Sequence, residues 1–165
     1  MIFSIIKPIG WTSFDVVKKI RGITKHKKVG HAGTLDPFAT GILIIGTEKD
    51  TKSLQKISSS FKIYEAVLKL GQTTNTLDIE GEITSRKEVP LINSKKINMV
   101  FQSLLGESSQ IPPMFSAKKV NGQRLYKLAR KGISIKRDPI KINIKKLELL
   151  GHTKRSISFR VECSK

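Results

Sequence analysis

The sequence contains little cysteine and little negative charge, and it has no long apolar run. Cys163 is its one cysteine among 165 residues, so no disulfide can form within the chain, which is typical of a reducing cytoplasm. No stretch approaches the ~20 apolar residues that cross a bilayer. Residues 1–8 lack the basic region and the cleavage site of a signal peptide. We therefore expect a cytoplasmic protein that is not inserted in a membrane.

Acidic side chains are far outnumbered by basic ones. Asp and Glu total 13 against 31 Lys and Arg, a formal net charge of +18. Such an excess predicts a polyanionic partner, either nucleic acid or an acidic membrane. The three histidines show no metal-ligand spacing with each other or with Cys163. We expect no metal.

The length fits one domain that can bury a core. Short apolar runs predict strands at 2–6 and 41–46, and 82–89 is expected to be the return strand of a longer strand at 61–71. Alternation predicts that strand at 61–71 and a terminal hairpin formed by 139–150 and 155–163. Helical spacing predicts helices at 14–22, 48–58, 94–105 and 123–131. Ser13 and Thr47 are the expected N-caps of the first two helices, and Ile97, Val100, Phe101 and Leu104 the inward side of the third.

One irregular loop, Gly30–Gly41, holds a single carboxylate, Asp36. Its glycines permit backbone angles that other residues resist, while Pro37 fixes its own φ and favours an extended Asp36. The loop leads into an apolar strand, so it holds Asp36 at the mouth of a rigid element, where chemistry often occurs. The alternative is a tight turn in which Asp36 bonds its own backbone.

Two segments are rich in positive charge. The first spans residues 18–28 and is either an RNA-facing patch or a solvated helix face. The second spans 107–132, where Pro112 and Pro113 predict extended chain and Asn121-Gly122 predicts a turn before a basic amphipathic helix. Cations interleaved with Phe115 and Tyr126 suit looped RNA. Alternatively, Phe115, Leu125 and Leu128 form core, which we expect for the two leucines.

Several segments, in this order, resemble the bacterial tRNA pseudouridine synthase B family across the whole chain. They are Lys7-Pro8-x-Gly10-Trp11-Thr12-Ser13, Gly30-His31-x-Gly33-Thr34-Leu35-Asp36-Pro37-x-Ala39-Thr40-Gly41, Lys62-x-Tyr64-x-Ala66, Ile111-Pro112-Pro113-x-x-Ser116-Ala117 and Arg124-Leu125-Tyr126-x-Leu128-Ala129-Arg130-x-Gly132. The segment around Asp36 is the most specific of these.

The resemblance implies an enzyme that isomerises the T-loop uridine of tRNA (position 55) to pseudouridine without cofactor or metal. Asp36 matches the family's catalytic aspartate, whose carboxylate attacks either the uracil ring or the anomeric carbon of the sugar. His31 matches a position that contacts RNA near the flipped nucleotide. Tyr64 matches the tyrosine that packs on the target base and assists removal of its C5 proton. The target must leave its stack to be reached.

The resemblance also implies the fold and the partners. The fold class is α+β, a mixed and largely antiparallel sheet flanked by helices. The segment 107–132 resembles an RNA-gripping insertion, which makes Lys118, Lys119, Arg124, Tyr126 and Arg130 the expected RNA contacts. The partner is the T-arm stem-loop of tRNA, and the complete protein is expected to be a monomer.

The sequence departs from the family pattern at residue 165. The family normally continues with a Gly-Thr-Tyr-Ile-Arg-like strand, whose Arg pairs with the catalytic Asp, then with further helices and often a small PUA-type RNA-binding domain. We therefore interpret residues 1–165 as a partial catalytic domain. Without the Arg, we expect little activity and weakened tRNA binding, and without the strand an open sheet edge that favours self-association.

Two other functions compete with catalysis. One is a non-catalytic tRNA-binding or RNA-chaperone module, and the other is a general basic protein of the ribosomal type. Net charge supports all three, because every basic binder follows the same salt dependence. A carboxylate presented to a phosphate polymer favours the enzyme, and replacement of Asp36 by Asn separates catalysis from binding.

Overall fold

In the computed structural model, which describes residues 1–164, the chain forms two units, Met1–Ser60 and Phe61–Lys165. The first unit contains β1 (Ile2–Lys7), α1 (Ser13–Thr24), β2 (Val29–Ala32), β3 (Gly41–Thr47), a 3₁₀ helix (Glu48–Ser53) and α2 (Leu54–Ser58). Its three strands form an antiparallel sheet in the order β1-β3-β2. The predicted strands at 2–6 and 41–46 are therefore confirmed.

The core of the first unit follows from alternation along its strands. Leu43 and Ile45 on β3 are buried, whereas Ile42, on the opposite face of the same strand, is 71% exposed. Val16 and Val17 of α1 pack on the buried face with Val29. Strand alternation and helical spacing thus bring one apolar stripe of α1 onto one face of the sheet.

The second unit is built around a four-stranded antiparallel sheet. Its elements are β4 (Lys62–Lys69), β5 (Gln72–Thr74), β6 (Ile83–Arg86), α3 (Ser94–Leu104), β7 (Gly106–Gln110), β8 (Lys119–Val120), β9 (Gln123–Arg124), α4 (Leu125–Ala129), β10 (Ile140–His152) and β11 (Ser156–Cys163). The large sheet has the order β4-β11-β10-β7, and β5-β6 and β8-β9 form two small hairpins. The predicted terminal hairpin is confirmed as β10–β11.

Helix α3 covers one face of this sheet. Ile97 and Phe101 are buried together with Ile157, and the Phe101 and Phe159 rings meet edge to face with their centroids 6.0 Å apart. The inward prediction was wrong for Val100 and Leu104, which are 52% and 48% exposed.

The α+β fold class is confirmed, and every strand pairing among residues 1–164 is antiparallel. Two cap predictions were wrong. Helix α1 is capped by Thr12, whose side chain accepts from the Asp15 amide while Asp15 binds the Thr12 backbone. Thr47 makes no side-chain cap, and the segment after it begins as a 3₁₀ helix rather than an α-helix. None of the helices among the described residues is long and apolar enough to cross a membrane.

Candidate active-site loop

The loop that carries Asp36 connects two adjacent strands of the first unit. β2 and β3 pair from Val29↔Thr47 to Ala32↔Ile44, so the loop leaves and rejoins the same sheet. Within it, the Ala39 amide donates to the Asp36 carbonyl oxygen at 3.0 Å, which closes a turn around Pro37. The Asp36 side chain is exposed. Residues 36–39 therefore form a turn within the loop, and Asp36 lies at the surface.

A buried lysine holds the backbone of the loop through hydrogen bonds. Lys7 is 0% exposed, and its Nζ donates to the carbonyl oxygens of Trp11 (2.6 Å), Pro8 (3.0 Å) and Pro37 (3.4 Å). The Gly10 amide also donates to the Pro37 carbonyl oxygen at 2.8 Å. One ammonium group thus joins the end of β1, the turn before α1 and the residue that follows Asp36. Charge-assisted bonds of this kind are stronger than neutral ones.

Ser13 holds the other side of the loop. Its hydroxyl accepts from the Leu35 amide at 2.9 Å and donates to the Leu35 carbonyl oxygen at 3.2 Å. Ser13 is 2% exposed, so these bonds are sheltered from water. Asp36 therefore lies between Leu35, fixed by Ser13, and Pro37, fixed by Lys7. The backbone on either side of the carboxylate is thus held by residues of α1 and β1 in addition to the turn within the loop.

His31 lies on β2, opposite Ile45, at the start of the same loop. Its Nδ1 hydrogen-bonds to the Gly33 carbonyl oxygen. Because a carbonyl oxygen only accepts, Nδ1 carries a proton and the ring is held close to the backbone of the loop. His31 is half-buried. The structure thus brings two of the predicted site residues, His31 and Asp36, onto one supported loop.

Tyr64 belongs to the second unit. It lies on β4, opposite Val161 of β11, and its side chain is 38% exposed. Alternation along β4 places it on the same face as Ala66 and Leu68. A tyrosine on a paired strand has a well-defined backbone, and this one keeps part of its ring accessible.

The predicted RNA contacts cluster around the β8–β9 hairpin and α4. The Asn121-Gly122 turn is confirmed, with φ of 49° and 80°. Lys119 faces Arg124 across the hairpin, and the Arg130 guanidinium lies 5.5 Å from the centre of the Tyr126 ring. Leu125 is fully buried and anchors the helix, as expected of a core residue.

A cavity of about 420 Å³ opens beside this hairpin. Its lining includes two predicted residues, Lys119 and Arg124, together with Lys127 and Lys131, which were not among the predicted contacts. Helical spacing could have found these two, because Arg124, Lys127 and Lys131 recur at intervals of three and four residues along the predicted helix 123–131. Lys118 lies outside the lining, and its carbonyl oxygen accepts from the Leu125 amide at 2.9 Å. The predicted helix 123–131 was too long, because residues 123–124 belong to the hairpin.

Comparison with known proteins identifies the family. The family model described as "TruB family pseudouridylate synthase (N terminal domain)" matches residues 21–165. The chain belongs to the TruB pseudouridine synthase family. The tRNA pseudouridine synthase B of Clostridium acetobutylicum is 48% identical over 99% of the chain and 56% of its own length. The tRNA pseudouridine synthase B of Dehalococcoides mccartyi is 46% identical over 98% of the chain and 54% of its own length. The chain spans about half the length of the curated relatives it matches.

Solved structures are also similar to this chain. A chain in the structure described as a Cbf5-Nop10-Gar1 complex is similar to this one with a TM-score of 0.69 and 26% identity, over 98% of this chain and 39% of that one. A second, an H/ACA RNP bound to a substrate RNA, has a TM-score of 0.65 at 24% identity and shows the fold alone. The resemblance noted from the sequence motifs is confirmed.

Proposed function

We propose that residues 1–165 form part of the catalytic domain of a tRNA pseudouridine synthase that isomerises the T-loop uridine, with Asp36 as nucleophile. Family membership supports the reaction class. The observation that carries the assignment of Asp36 is the support of its loop, because a buried ammonium and a buried hydroxyl fix the residues on both sides of an exposed carboxylate. A fixed nucleophile approaches its target at low entropic cost.

The reaction rearranges bonds within one nucleotide. The bond from C1′ of the ribose to N1 of uracil breaks, the base turns, and a bond from C1′ to C5 forms. C5 loses a proton and N1 gains one, so the product is an isomer of the substrate and needs no external electrons. In our proposal the ionised Asp36 supplies the electron pair that starts the exchange, by adding either to the uracil ring or to C1′.

The remaining residues have supporting roles in this proposal. His31 contacts the RNA beside the target nucleotide, since it shares the loop with Asp36. Tyr64 stacks on the target base once that base has left its helix, as base-modifying enzymes require. The cations of the β8–β9 hairpin and α4, with Tyr126, bind the phosphates and bases of the T-arm. No group of three His, Cys, Asp or Glu residues within 1–164 is placed to hold a metal ion, and the proposal assigns none.

The test is formation of pseudouridine in a T-arm stem-loop, with a scrambled hairpin of equal length as the control RNA. Because the curated relatives are about twice as long, the assay uses the 165-residue chain and a chimaera that continues it with the C-terminal half of the Clostridium acetobutylicum enzyme. We expect most turnover in the chimaera, and a preference for the T-arm over the scrambled hairpin. Turnover that ignores the T-loop sequence would contradict the substrate assignment.

Asp36→Asn distinguishes the enzyme from the competing RNA-binding module. Asparagine keeps the size of the side chain and removes the negative charge. An enzyme loses pseudouridine formation and keeps its affinity for the stem-loop. If neither the chain nor the chimaera forms pseudouridine while both prefer the T-arm, the binding module is the correct function.

A further inference from the structure

A groove of about 690 Å³ lies along α1 of the first unit, and its lining residues lie outside the Asp36 loop. Trp11 and Ile23 contribute apolar surface, and Lys18 and Lys19 contribute charge. Gly22 lies between them, and a Cβ added there would meet nothing within 4 Å, so the groove is open at this point. Nothing in the proposed reaction uses these side chains.

The apolar part of the groove is not needed for the core. Helix α1 already packs Val16, Val17 and, in part, Ile20 against its sheet. Trp11 and Ile23 remain 40% and 65% exposed. Tryptophan is usually well buried, and an exposed indole beside cations is more typical of a binding surface. The groove therefore presents a ring that the fold itself does not cover.

The charge of the groove is strongly positive. Residues 13–28 contain six lysines and arginines and one carboxylate, Asp15. Asp15 is already engaged by Thr12, whose amide and hydroxyl donate to its Oδ2 at 2.9 and 2.6 Å. These hydrogen bonds hold the pKa of Asp15 below its usual value, so it stays ionised. It offsets one cation and leaves the others to attract an anionic ligand.

The backbone of the groove is tied to the candidate active site. The carbonyl oxygens of Trp11 and Pro37 both accept from the single nitrogen of Lys7. Trp11 is therefore held next to the turn that presents Asp36. A polymer whose nucleotide reaches Asp36 has neighbouring nucleotides that pass close to Trp11.

We propose that the α1 groove, defined by Trp11, Lys18, Lys19 and Ile23, binds an unpaired nucleotide of the RNA other than the target. Its base stacks on Trp11, and its flanking phosphates contact Lys18 and Lys19. An aromatic ring with cations beside it is the arrangement that binds single-stranded nucleic acid, because every base has a stacking face and every phosphate a charge. The inference rests on the proposed function for the identity of the polymer as RNA and for the position of the target nucleotide at Asp36.

Trp11 is the one tryptophan of the sequence, so its fluorescence reports on the groove directly. The experiment titrates the protein with a T-arm stem-loop, with a blunt RNA duplex of equal length and with inorganic polyphosphate. We expect the stem-loop to quench Trp11 emission by about half or more, since only an unpaired base can stack on the indole. The duplex and polyphosphate bind through charge and leave the emission nearly unchanged.

Variants separate stacking from charge. Trp11→Ala is expected to weaken stem-loop binding about tenfold, and Trp11→Phe, which keeps a ring, to weaken it less. The double variant Lys18→Gln with Lys19→Gln loses about two phosphate contacts, so the slope of log affinity against log salt decreases by about two. The matched pair Lys52→Gln with Lys56→Gln removes the same charge from exposed positions outside the groove, and it is expected to leave the affinity within about twofold.

Three results would overturn the inference. The first is equal quenching of Trp11 by polyphosphate and by the stem-loop, and the second is an unchanged affinity of Trp11→Ala for the stem-loop. The third is a Trp11 in the chimaera that is already shielded from solvent and does not respond to RNA, which would show that protein covers the groove. The titration is repeated in Asp36→Asn, which separates it from catalysis. If RNA quenches Trp11 but neither the chain nor the chimaera forms pseudouridine, the proposed function is wrong and this inference stands. If pseudouridine forms but RNA does not change Trp11 emission, this inference is wrong and the proposed function stands.

Discussion

The Nζ of Lys7 lies 3.4 Å from the carbonyl oxygen of Pro37, the residue that follows Asp36. Lysine seldom lies fully inside a protein, yet Lys7 is 0% exposed. Its ammonium group donates to three carbonyl oxygens from two segments of chain, Pro8 and Trp11 before α1 and Pro37 in the Asp36 turn. The position of the Asp36 turn thus depends on a residue 29 positions earlier in the sequence.

Replacement of Lys7 by Met tests this dependence. Methionine fills a similar volume, but the carbonyl oxygens of Pro8 and Trp11 lose the donor they share. We expect a loss of about 2 kcal/mol in the free energy of unfolding, because buried acceptors without donors are costly. Urea unfolding followed by Trp11 emission measures it. Lys52→Met at an exposed position is the control and should change stability by less than about 0.5 kcal/mol.

The capping box of α1 predicts a pH dependence. Thr12→Ala removes a side-chain cap and should cost about 1 kcal/mol at neutral pH. The Thr12 hydrogen bonds lower the pKa of Asp15, so their contribution is fully present above the unfolded-state pKa of about 3.9 and is lost as the pH falls through the folded-state value. The difference between wild type and Thr12→Ala should therefore shrink below about pH 4.

Urea unfolding between pH 3 and pH 7 measures this difference. Thr24→Ala is the control, because the Thr24 hydroxyl donates to the Ile20 carbonyl oxygen and its partner does not titrate. A Thr12→Ala difference that stays constant down to pH 3 would contradict the role given to Asp15.

The hairpin and α4 depend on one buried side chain. Leu125 is 0% exposed, and its amide donates to the Lys118 carbonyl oxygen at 2.9 Å. Leu125→Ala should destabilise this segment by about 2–5 kcal/mol, since it removes a large buried side chain. Hydrogen exchange of the Leu125 and Tyr126 amides should accelerate, with little change in β10 and β11. Ile133→Ala, at a site 46% exposed, should leave this exchange unchanged.

The basic cavity beside the hairpin predicts a change in salt dependence. If Lys119 and Arg124 each contact one phosphate, their joint replacement by Gln should reduce the slope of log affinity against log salt by about two. The affinity for stem-loop and scrambled hairpin should fall together, because phosphate contacts carry no sequence information. Lys56→Gln serves as the control for loss of surface charge. An unchanged slope would remove this cavity from the RNA-binding surface.

The pattern of apolar residues predicted the strands that contribute apolar side chains to a core. β3 was predicted because residues 42–46 form a short apolar run directly after the loop, and the β10–β11 hairpin because two alternating segments flank a short turn. β7 was missed, since its five residues, Gly106–Gln110, are all exposed and mostly polar. It is a strand only because Ile140–Ile144 pair with it, and pairing at a distance leaves no pattern in a short polar segment.

The candidate site was predictable in part. Glycine and proline around Asp36 predicted a constrained loop, because these residues restrict or release the backbone locally. The supports of the loop were not predictable, since Lys7 and Ser13 act across 30 and 22 positions of sequence. Lysine is normally exposed, and Ser13 was predicted to cap α1. Only the folded first unit shows that Thr12 caps the helix and that Ser13 binds Leu35.

The most direct test of the central claim is the release of tritium from C5 of a single labelled T-loop uridine. Formation of the bond from C1′ to C5 must expel this hydrogen, so each pseudouridine releases one label. With Asp36 intact, the chimaera should release about one tritium per RNA. Asp36→Asn should slow release by about 10³-fold or more while it binds the stem-loop with similar affinity. Release by Asp36→Asn within about tenfold of the parent would show that Asp36 is not the nucleophile.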